Sequence, residues 1–558
     1  MNIALSETPG RGDTRRRAGM SGAAWGLLAA VTVVCLAWLA QTSFTVEGHR
    51  YFVLADDAMI SMRYAYFLAH GQGLVWNAGQ RVEGFTNFGW TLVMAAVHLL
   101  PVPLRLVSLV LQVVNILLHL VLTAYVYRFV RPRVGEGAAL GAAALVGLDA
   151  PLMAYGLMGF ETSLQTLLVT LALLRFVPAP SVGNQTLAAL PTTGLRWTPL
   201  LCALAFVVRP DAVTLFLVGS AAALYASGGD LRERRAVVWS VVAGLCLIAG
   251  VLAFQKGYYG YWFPNTYYLK ASADTRQFGR GLKYVAKFAL QDFHLALLLA
   301  PLAYLAGGLR RAWRAFLPAS ALLGLWVCYL VWVGGDVFPL SRFWAPIIPM
   351  LTVCTVFLIC AHRGDFAPKT SQAARGDFRR KAGTRALLVL LVLQALFGLV
   401  RVHSVLNNSV GGAENGVRYA AALGRLSLSQ GTIIGVFLAG TTPYFMPHTQ
   451  FHDFLGKCDT HIAHSAAHWG PPGHNKWDFA YSLGTVRPQY VITDSTYPAT
   501  GSAATDALMR QWVSARRDFG FHPALWLDPL FRRDYVQTSV IADGSPVQGQ
   551  SLYVRKSP

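Results

Sequence analysis

Long apolar runs separated by short basic loops constrain the fold of this chain more than any other sequence feature. A transmembrane helix needs about 20 consecutive, mostly apolar residues. Of the 558 residues, 54% are hydrophobic and only 13% are charged, about half the usual charged share of a soluble protein. The pattern predicts an all-α polytopic membrane protein. It excludes a soluble enzyme, a disordered chain and a coiled coil.

The apolar runs predict about 11 transmembrane helices. The runs lie at about 21–41, 88–103, 104–127, 138–158, 160–177, 197–208, 211–226, 236–256, 290–308, 315–335, 343–361 and 385–404. The second and third runs look like two helices, yet the charges of the flanking loops require a single crossing. Several runs are shorter than the roughly 20 residues that span a bilayer, which is typical of broken or re-entrant helices beside a wet cavity.

Basic residues predict the orientation of the chain in the membrane. There are 47 Lys and Arg against 27 Asp and Glu, a net charge of +20. In a membrane protein such a surplus marks cytoplasmic loops, so we expect membrane lipids and no nucleic acid as partners. Residues 1–20, which contain four arginines, are then cytoplasmic. Residues 21–404 form the transmembrane domain, and the polar residues 405–558 form an extracytoplasmic α/β domain.

The first external loop, residues 43–87, contains the most informative polar residues. Asp56 and Asp57 precede apolar residues at helical spacing, so we expect them at the start of an amphipathic helix on the membrane surface. A single aspartate there would be an ordinary helix cap. Two neighbouring carboxylates can also bind a divalent cation (Mg²⁺, Mn²⁺ or Ca²⁺), or one can be a general base on a sugar hydroxyl. Candidate substrate-binding residues in the same loop are Arg63, Tyr64, Glu83 and Asn87.

Charged residues in or beside the apolar runs are a second signal. Placing a charge in hydrocarbon is costly, so such residues face a cavity or a partner. We predict that they line a polar cavity continuous with the Asp pair. The alternative is that Arg209–Asp211 and Asp336–Arg342 are local ion pairs at helix ends. The candidates are Glu161, Arg209, Asp211, Asp336 and Arg342.

Two further segments supply candidate substrate contacts. Loop 257–289 is rich in tyrosine, which is typical of an interfacial belt, and its lysines could meet a lipid-linked phosphate. The tail contains WGPPGHNKWD, a rigid loop able to contact an acceptor. The histidines of the tail complete no known zinc spacing, so no metal site is predicted there. The candidates are Asn265, Lys270, His464, His474 and Lys476.

Several motifs resemble those of the GT-C superfamily of integral membrane glycosyltransferases. The resemblance is closer to the mycobacterial terminal β-(1→2)-arabinofuranosyltransferase family. It rests on DDAMISMRYA, GLVWNAGQRVEGFTNFGWTL, GFETSLQ, RPDAV, FPNTYYLKA, GGDVFPLSRF, DTHIAH and GPPGHNKWD, which extend from about residue 56 to residue 494. One motif departs from the pattern, because VFPLSRF places the arginine further from GGD than the resemblance leads us to expect.

The resemblance implies a GT-C-like fold and a polyprenyl-phosphate sugar donor. The sugar would be arabinofuranose, moved to a cell-envelope glycan or glycoprotein outside a bacterial inner membrane. It implies that Asp56 or Asp57 is the general base, and that Arg342, with Arg209 and Lys270, neutralises the leaving phosphate. Glu161 and Asp336 would then position sugar hydroxyls.

Two other functions stay open on the sequence. The first is a GT-C enzyme that moves another sugar to lipopolysaccharide or to a surface protein such as pilin. The second is a polytopic lipid or sugar transporter, or a scaffold. A secondary transporter is typically built from two repeated halves with a site at the bilayer midplane. The sequence contains no visible internal repeat, and its intramembrane charges cluster toward one face.

Overall fold

The computed structural model describes residues 19–180, 193–270, 276–292, 294–363, 371–426, 428–493, 503–514, 520–542, 544–547 and 551–556. The N-terminal arginines that predict the orientation lie outside these residues. A short hairpin of β1 (Ser43–Val46) and β2 (His49–Phe52) follows the first helix. The helices of the membrane domain are α1 (Gly22–Gln41), α2 (Asp56–Ala69), α3 (Phe88–His98), α4 (Leu104–Val134), α5 (Glu136–Gly147), α6 (Ala150–Leu157), α7 (Thr162–Leu173), α8 (Trp197–Val208), α9 (Val213–Ala226), α10 (Leu231–Tyr259), α11 (Asn265–Lys270), α12 (Arg276–Leu290), α13 (Leu295–Val333), α14 (Ile348–Arg363) and α15 (Ser371–Gly424).

The described helices make the chain a multi-pass membrane protein. Six segments are long and apolar enough to cross a bilayer: Gly22–Gln41, Leu104–Val134, Leu231–Tyr259, Leu295–Val333, Pro339–Ala361 and Leu388–Gly424. The pair α5 and α6, bent by 45°, makes a seventh candidate. Four apolar helices are shorter: α3, α8, the α7 region and the α9 region. The largest apolar core lies between α4, α5, α7, α8, α9, α13 and α14.

Residues 88–127 contain two helices, of which only the second is long enough to cross a bilayer. Helix α3 has 11 residues and is therefore about 16 Å long, roughly half the hydrocarbon thickness. Helix α4 has 31 residues, enough to cross alone. Helix α3 packs against α2 instead, where Trp90 and Met94 are fully buried.

Helix α13 bends sharply at Ala312, whose backbone (φ −148°, ψ 62°) is not helical. A Cβ added at Gly308 would lie 2.2 Å from the Phe316 ring. Residues eight apart on a straight helix are about 12 Å apart, so the chain must fold back on itself there. The bend falls in the basic segment between the predicted runs 290–308 and 315–335.

The last membrane helix extends beyond the predicted domain boundary. The sequence predicts an end near residue 404, yet α15 continues to Gly424. The extension is amphipathic: Val405, Leu406 and Val417 are buried while Gly411 is exposed. Its buried face packs against α16 (Thr441–Phe445) and β1. The first strand of the C-terminal sheet begins at Ile433, nine residues after the end of α15.

The C-terminal region is a mixed five-stranded sheet with short helices, as predicted for an α/β domain. Its strand order is β4-β3-β5-β9-β6. Strand β3 pairs in parallel with β4 and β5, whereas β9 pairs antiparallel with β5 and β6. The predicted strand run Tyr490–Thr493 is β5. The strands are β3 (Ile433–Val436), β4 (Gln450–Asp453), β5 (Tyr490–Thr493), β6 (Tyr535–Thr538), β7 (Ile541–Ala542), β8 (Ser545–Pro546) and β9 (Ser551–Arg555). The remaining helices are α17 (Thr460–His464), α18 (Ala503–Ser514), α19 (Phe521–Leu527) and α20 (Pro529–Asp534).

Candidate active site

The Asp pair begins helix α2, as the helical spacing predicts. Asp56 and Asp57 occupy its first turn, and the cap residue is Ala55, which makes no side-chain cap hydrogen bond. The pair therefore does not cap its own helix. Met59 and Met62 are fully buried, and α2 packs against α3 and α16. The helix is thus enclosed by protein rather than lying free on the membrane surface.

Asp56 joins α2 to the C-terminal domain. Its carboxylate accepts hydrogen bonds from the backbone N–H of Gly440, at 3.1 Å and 3.2 Å, and of Thr441, at 2.9 Å. These groups begin helix α16, so Asp56 satisfies N–H donors that otherwise have no partner within that helix. Burial raises the pKa of Asp56 to about 6, although the hydrogen bond from Thr441 and the charge of Lys457 oppose the rise.

Asp57 forms an ion pair with a residue that the sequence did not single out. The Lys457 Nζ lies 2.6 Å from Asp57 Oδ1. The Asp57 side chain is 34% exposed, so it is the member of the pair that solvent or a ligand reaches. Burial opposes ionisation of Asp57, but the adjacent Lys457 ammonium outweighs it and holds the pKa well below its usual range. Asp57 is therefore a carboxylate at neutral pH.

A second group of charges lies within the membrane domain. Arg209 contacts Glu161 through Nη1, and its Nε lies 2.6 Å from Asp211 Oδ2. Gln165 Nε2 donates to Asp211 Oδ1 at 2.6 Å. Arg209 is thus held by two carboxylates in a buried setting. The local Arg209–Asp211 pair, the alternative left open by the sequence, is present and is extended by Glu161.

Asn87 connects this group to the helix that carries the Asp pair. Its Nδ2 donates to Glu161 Oε2 at 3.0 Å, and its Oδ1 accepts from the Ser61 hydroxyl at 2.8 Å. Ser61 lies one turn after Asp57 on α2. The hydrogen-bond network therefore fixes α2 relative to α7 and α8.

Asp336 and Arg342 form the third element of the site. Arg342 Nη2 lies 2.8 Å from Asp336 Oδ2. The guanidinium also stacks over the rings of Phe160 and Phe338, each 4.6 Å from its Cζ. The intervening loop is tightly wound, since Leu340 and Ser341 have φ of +57° and +47°. The local ion pair left open by the sequence is present here as well.

The charge of Lys270 interacts with residues from each of these three groups. Its charge interacts with Asp336, Arg342, Asp57 and Arg209. The side chain is exposed, and the described residues contain no carboxylate oxygen within 4.0 Å of its Nζ. His474 also acts on Asp57, lowering its pKa. The charges of Asp57, Arg209, Asp336 and Arg342 thus act on Lys270, and those of Lys270 and His474 act on Asp57.

Arg63 is placed away from this group. Its guanidinium donates to the backbone carbonyls of Trp76, Pro443, Met446 (3.2 Å) and Thr449 (2.8 Å). The side chain is 1% exposed, so no donor of this guanidinium faces an open cavity. These contacts favour a structural role, because they join α2 to the C-terminal domain.

Tyr64 is also enclosed. Its hydroxyl donates to the Val82 carbonyl at 2.7 Å and accepts from the Gly84 N–H at 2.8 Å. Cys458 Sγ lies 3.9 Å from the same oxygen. The thiol of the polar tail is therefore buried against the first loop.

Glu83 and Asn265 form a separate buried contact. The Asn265 N–H donates to the Glu83 carbonyl at 3.0 Å, and Gln255 Nε2 donates to Glu83 Oε1 at 2.8 Å. Burial raises the pKa of the Glu83 carboxyl to about 8, so it is protonated at neutral pH. The pair attaches α11 to the first loop, and α11 in turn ends at Lys270.

His464 and Lys476 hold α11 from the other side. The His464 ring lies 4.3 Å from the Tyr268 ring, centroid to centroid. Lys476 Nζ donates to the carbonyls of Tyr268, at 3.2 Å, and Ala463, at 2.9 Å. Both residues therefore position the helix that carries Lys270.

Two curated enzymes are similar to this chain over part of its length. The chain is 32% identical to terminal β-(1→2)-arabinofuranosyltransferase of Mycobacterium tuberculosis over 247 residues, which are 42% of this chain and 37% of the relative. It is 27% identical to the enzyme of the same name from Corynebacterium glutamicum over 329 residues, 51% of this chain and 45% of the relative. The match spans less than half of either relative. No family model matches the chain.

The similarity to a solved structure covers almost the whole chain. Compared with ArnT from Cupriavidus metallidurans in the apo state, the TM-score is 0.55 at 12% identity, over 95% of this chain and 98% of ArnT. This chain has a GT-C membrane glycosyltransferase fold. With ArnT bound to undecaprenyl phosphate, the TM-score is 0.51 at 12% identity, over 96% of this chain and 99% of ArnT. The GT-C fold expected from the motifs is confirmed, and the relation to the arabinofuranosyltransferases is distant.

The site does not fit the divalent cation that two neighbouring carboxylates could bind. Asp57 Oδ1 contacts the Lys457 ammonium, and both oxygens of Asp56 accept backbone N–H groups. Within the described part of the chain, no cluster of three or more His, Cys, Asp or Glu side chains is arranged to hold a metal ion. Sequence reasoning missed Lys457 because a single lysine in a polar tail carries no motif.

Proposed function

We propose that the chain is a polyprenyl-phosphosugar-dependent glycosyltransferase that moves arabinofuranose to a cell-envelope glycan. The observation that supports it most is that the charges of one accessible carboxylate, Asp57, and one accessible cation, Lys270, act on each other. The names of the two curated relatives support the sugar, and undecaprenyl phosphate bound to ArnT supports a lipid phosphate. We place the reaction at the extracytoplasmic face of a bacterial inner membrane, in a domain of about 11 crossings.

Lys270 is the cation best suited to the donor phosphate. Arg209 and Arg342 are already neutralised by carboxylates, whereas Lys270 has none within 4.0 Å among the described residues. An incoming phosphate would therefore gain a full counter-charge at Lys270 without breaking an ion pair. Arg342 and Arg209 add a positive potential around it, which stabilises the phosphate as it leaves.

Asp57 is the residue we assign to the acceptor proton. The bond from the anomeric carbon to the phosphate oxygen breaks, and the phosphate departs with the electron pair. The acceptor hydroxyl oxygen then forms the new bond to that carbon. The hydroxyl proton becomes strongly acidic as this bond forms, so a weakly basic carboxylate such as the ion-paired Asp57 can take it. Asp56 is less accessible for this role, since both its oxygens accept N–H groups.

The test is a transfer assay with the purified full chain in detergent. The donor is synthetic polyprenyl-phosphoryl arabinofuranose with labelled sugar, and the acceptors are a panel of envelope glycans and glycoproteins. We expect labelled product with the wild type and a loss of about 10²- to 10⁴-fold with Asp57→Asn. Asp534→Asn, in an exposed pair with Arg533, is the control and should match the wild type. Full transfer activity of Asp57→Asn would show that Asp57 is not the general base.

A panel of other donors separates a wrong sugar from a wrong reaction class. If arabinofuranose is not transferred, polyprenyl-phosphate hexoses and aminoarabinose are tried with lipopolysaccharide and pilin as acceptors. Product with one of these would keep the reaction class and change the sugar. No product with any donor would favour the transporter or scaffold function.

A further inference from the structure

We infer that Lys457 acts as the fixed counter-cation of the Asp pair, in the place where a divalent cation would otherwise bind, so that the reaction proceeds without a metal ion. The inference rests on the proposed function and extends it to the cofactor requirement and to one further positioning residue. Lys457 touches Asp57 rather than substrate, and it belongs to the C-terminal domain.

The ion pair is close and shielded. The Lys457 Nζ lies 2.6 Å from Asp57 Oδ1, and the lysine side chain is 14% exposed. The charges of Asp56 and Asp453 also act on this ammonium. Lys457 thus contacts one carboxylate directly and lies in the negative potential of two more, a field that would also attract a divalent cation. The ammonium supplies positive charge at that point without coordination geometry.

The loop that carries Lys457 is built to hold it in place. Asp453, which is fully buried, accepts the Leu455 N–H at 2.9 Å and the Cys458 N–H at 2.8 Å. These bonds close a tight loop between the end of β4 and α17. Gly456 has φ of +74°, and an added Cβ would lie 2.8 Å from the Ala463 nitrogen. Two buried hydrogen bonds and a left-handed glycine thus fix the backbone on both sides of Lys457.

The remaining oxygens of the pair are also taken by the C-terminal domain. Asp56 accepts the N–H groups of Gly440 and Thr441, so it has little capacity left for a metal ion. An added Cβ at Gly440 would lie 2.0 Å from the Asp56 carbonyl oxygen, which shows how closely the backbones approach. Lys270 and His474 also act on Asp57, and both add positive potential there. A second cation at Asp57 would meet repulsion from all of them.

The first arm of the experiment needs no donor. Binding of Mn²⁺ to the purified full chain is followed by electron paramagnetic resonance, with the wild type compared with Asp57→Asn. We expect the two proteins to bind Mn²⁺ alike, with no stoichiometric ion that depends on Asp57. One Mn²⁺ per wild-type chain, lost in Asp57→Asn, would overturn the inference. This arm gives an answer even if the wild type transfers no sugar, an outcome that would instead contradict the proposed function.

The second arm uses the arabinofuranose transfer assay. Wild-type activity should change less than about twofold with EDTA or added Mg²⁺, and Lys457→Met should lose about 100-fold in kcat. Lys457→Arg should retain more transfer activity than Lys457→Met, since arginine keeps the positive charge. Added propylammonium should raise the transfer activity of Lys457→Met at least about fivefold. A merely structural defect would not allow this recovery. Lys556→Met, which removes an exposed contact to the Arg533 carbonyl, is the control.

Each outcome of the second arm decides the inference. Loss of wild-type activity in EDTA with recovery in Mg²⁺ would overturn it, as would full activity of Lys457→Met. If Lys457→Met fails to fold, Lys457→Arg and the Mn²⁺ arm still decide between a metal and an ammonium.

Discussion

The two halves of the site are assembled in different ways. The membrane half consists of Glu161, Arg209, Asp211, Asp336 and Arg342, and its ion pairs join residues 2, 6 and 48 positions apart. In the docking half, Asp56 and Asp57 meet partners 384 to 400 positions away. The membrane half is therefore largely local in sequence, whereas the docking half exists only when the C-terminal domain is seated on α2.

Because of this difference, we expect substitutions in the two halves to impair the protein in different ways. Damage to the membrane half leaves buried charges without partners, which destabilises the helices around them. Damage to the docking half separates two folded regions and removes activity while much of each region stays intact. The predictions below test this contrast, from the largest expected effect to the smallest.

Arg63→Met should have the largest effect, on stability. The substitution leaves the carbonyls of Trp76, Pro443, Met446 and Thr449 without their buried donor. We expect a loss of about 3 to 5 kcal/mol in the free energy of unfolding, measured by denaturant titration in detergent.

Arg81→Met is the matched control for this substitution. Arg81 is an exposed arginine of the same loop, over the Tyr258 ring, and its loss should cost under about 0.5 kcal/mol. An Arg63→Met protein of normal stability but raised donor KM would favour the substrate contact predicted from sequence.

Gly440→Ala should uncouple the halves with a smaller loss of stability. The added Cβ would meet the Asp56 carbonyl oxygen at 2.0 Å, so α16 must move away from α2. We expect transfer activity to fall about 100-fold, because a misplacement of about 1 Å can cost that much. Gly411→Ala, at an exposed position of α15 with nothing within 4 Å, should leave activity unchanged. Equal activity of the two variants would show that docking at Gly440 is dispensable.

Double-mutant cycles should show that an ion pair of the membrane half has a larger coupling energy than the ion pair of the docking half. The Arg209–Asp211 pair is 14% and 6% exposed, and the Lys457–Asp57 pair is 14% and 34% exposed. We expect a coupling energy of about 2 kcal/mol for the more buried pair and about 1 kcal/mol for the other. The measured quantity is the free energy of unfolding of the single and double Met and Asn variants. A reversed order would contradict the division into a buried half and a docking half.

Glu83→Gln should have the smallest effect at pH about 5, where this group titrates little in either state, and the difference from the wild type should grow as pH rises. Burial raises the pKa of Glu83 from 4.5 to about 8, so the folded chain keeps a proton that the unfolded chain releases. Stability from this group is complete below pH about 4.5 and falls as pH rises toward about 8, by up to about 1.4 kcal/mol per unit. The Glu83→Gln variant should lack this dependence of the free energy of unfolding on pH. Thermal unfolding of both proteins between pH about 5 and about 8 tests this, and parallel curves would contradict it.

Periodicity and local charge made the start of helix α2 and much of the membrane half predictable. Helix α2 begins at Asp56 because the apolar spacing after it is helical, and Arg209–Asp211 is visible as a short motif. The docking half could not be predicted in the same way. Nothing in the sequence around Lys457 or Gly440 indicates Asp57 or Asp56 as a partner, since those contacts depend on how two domains pack.

The prediction for Arg63 also failed to anticipate contacts between residues that are far apart in the sequence. Its position after the Asp pair made it a candidate substrate-binding residue, but the backbone carbonyls that surround it come mostly from residues 443–449. A basic residue next to a site cannot be assigned to substrate or to structure until its acceptors are known. The site assignments from sequence therefore remain predictions to be tested residue by residue.

Helix α15 connects the bilayer mechanically to the Asp pair. Its segment Leu388–Gly424 has 37 residues and is about 55 Å long, so about 25 Å projects beyond a hydrocarbon layer of about 30 Å. The projecting part packs against α16, which binds Asp56. A change in lipid thickness that tilts this rigid lever by about 10° moves its tip by about 4 Å, more than a hydrogen bond tolerates. We therefore expect the acyl-chain length of the host membrane to affect the geometry of the Asp pair.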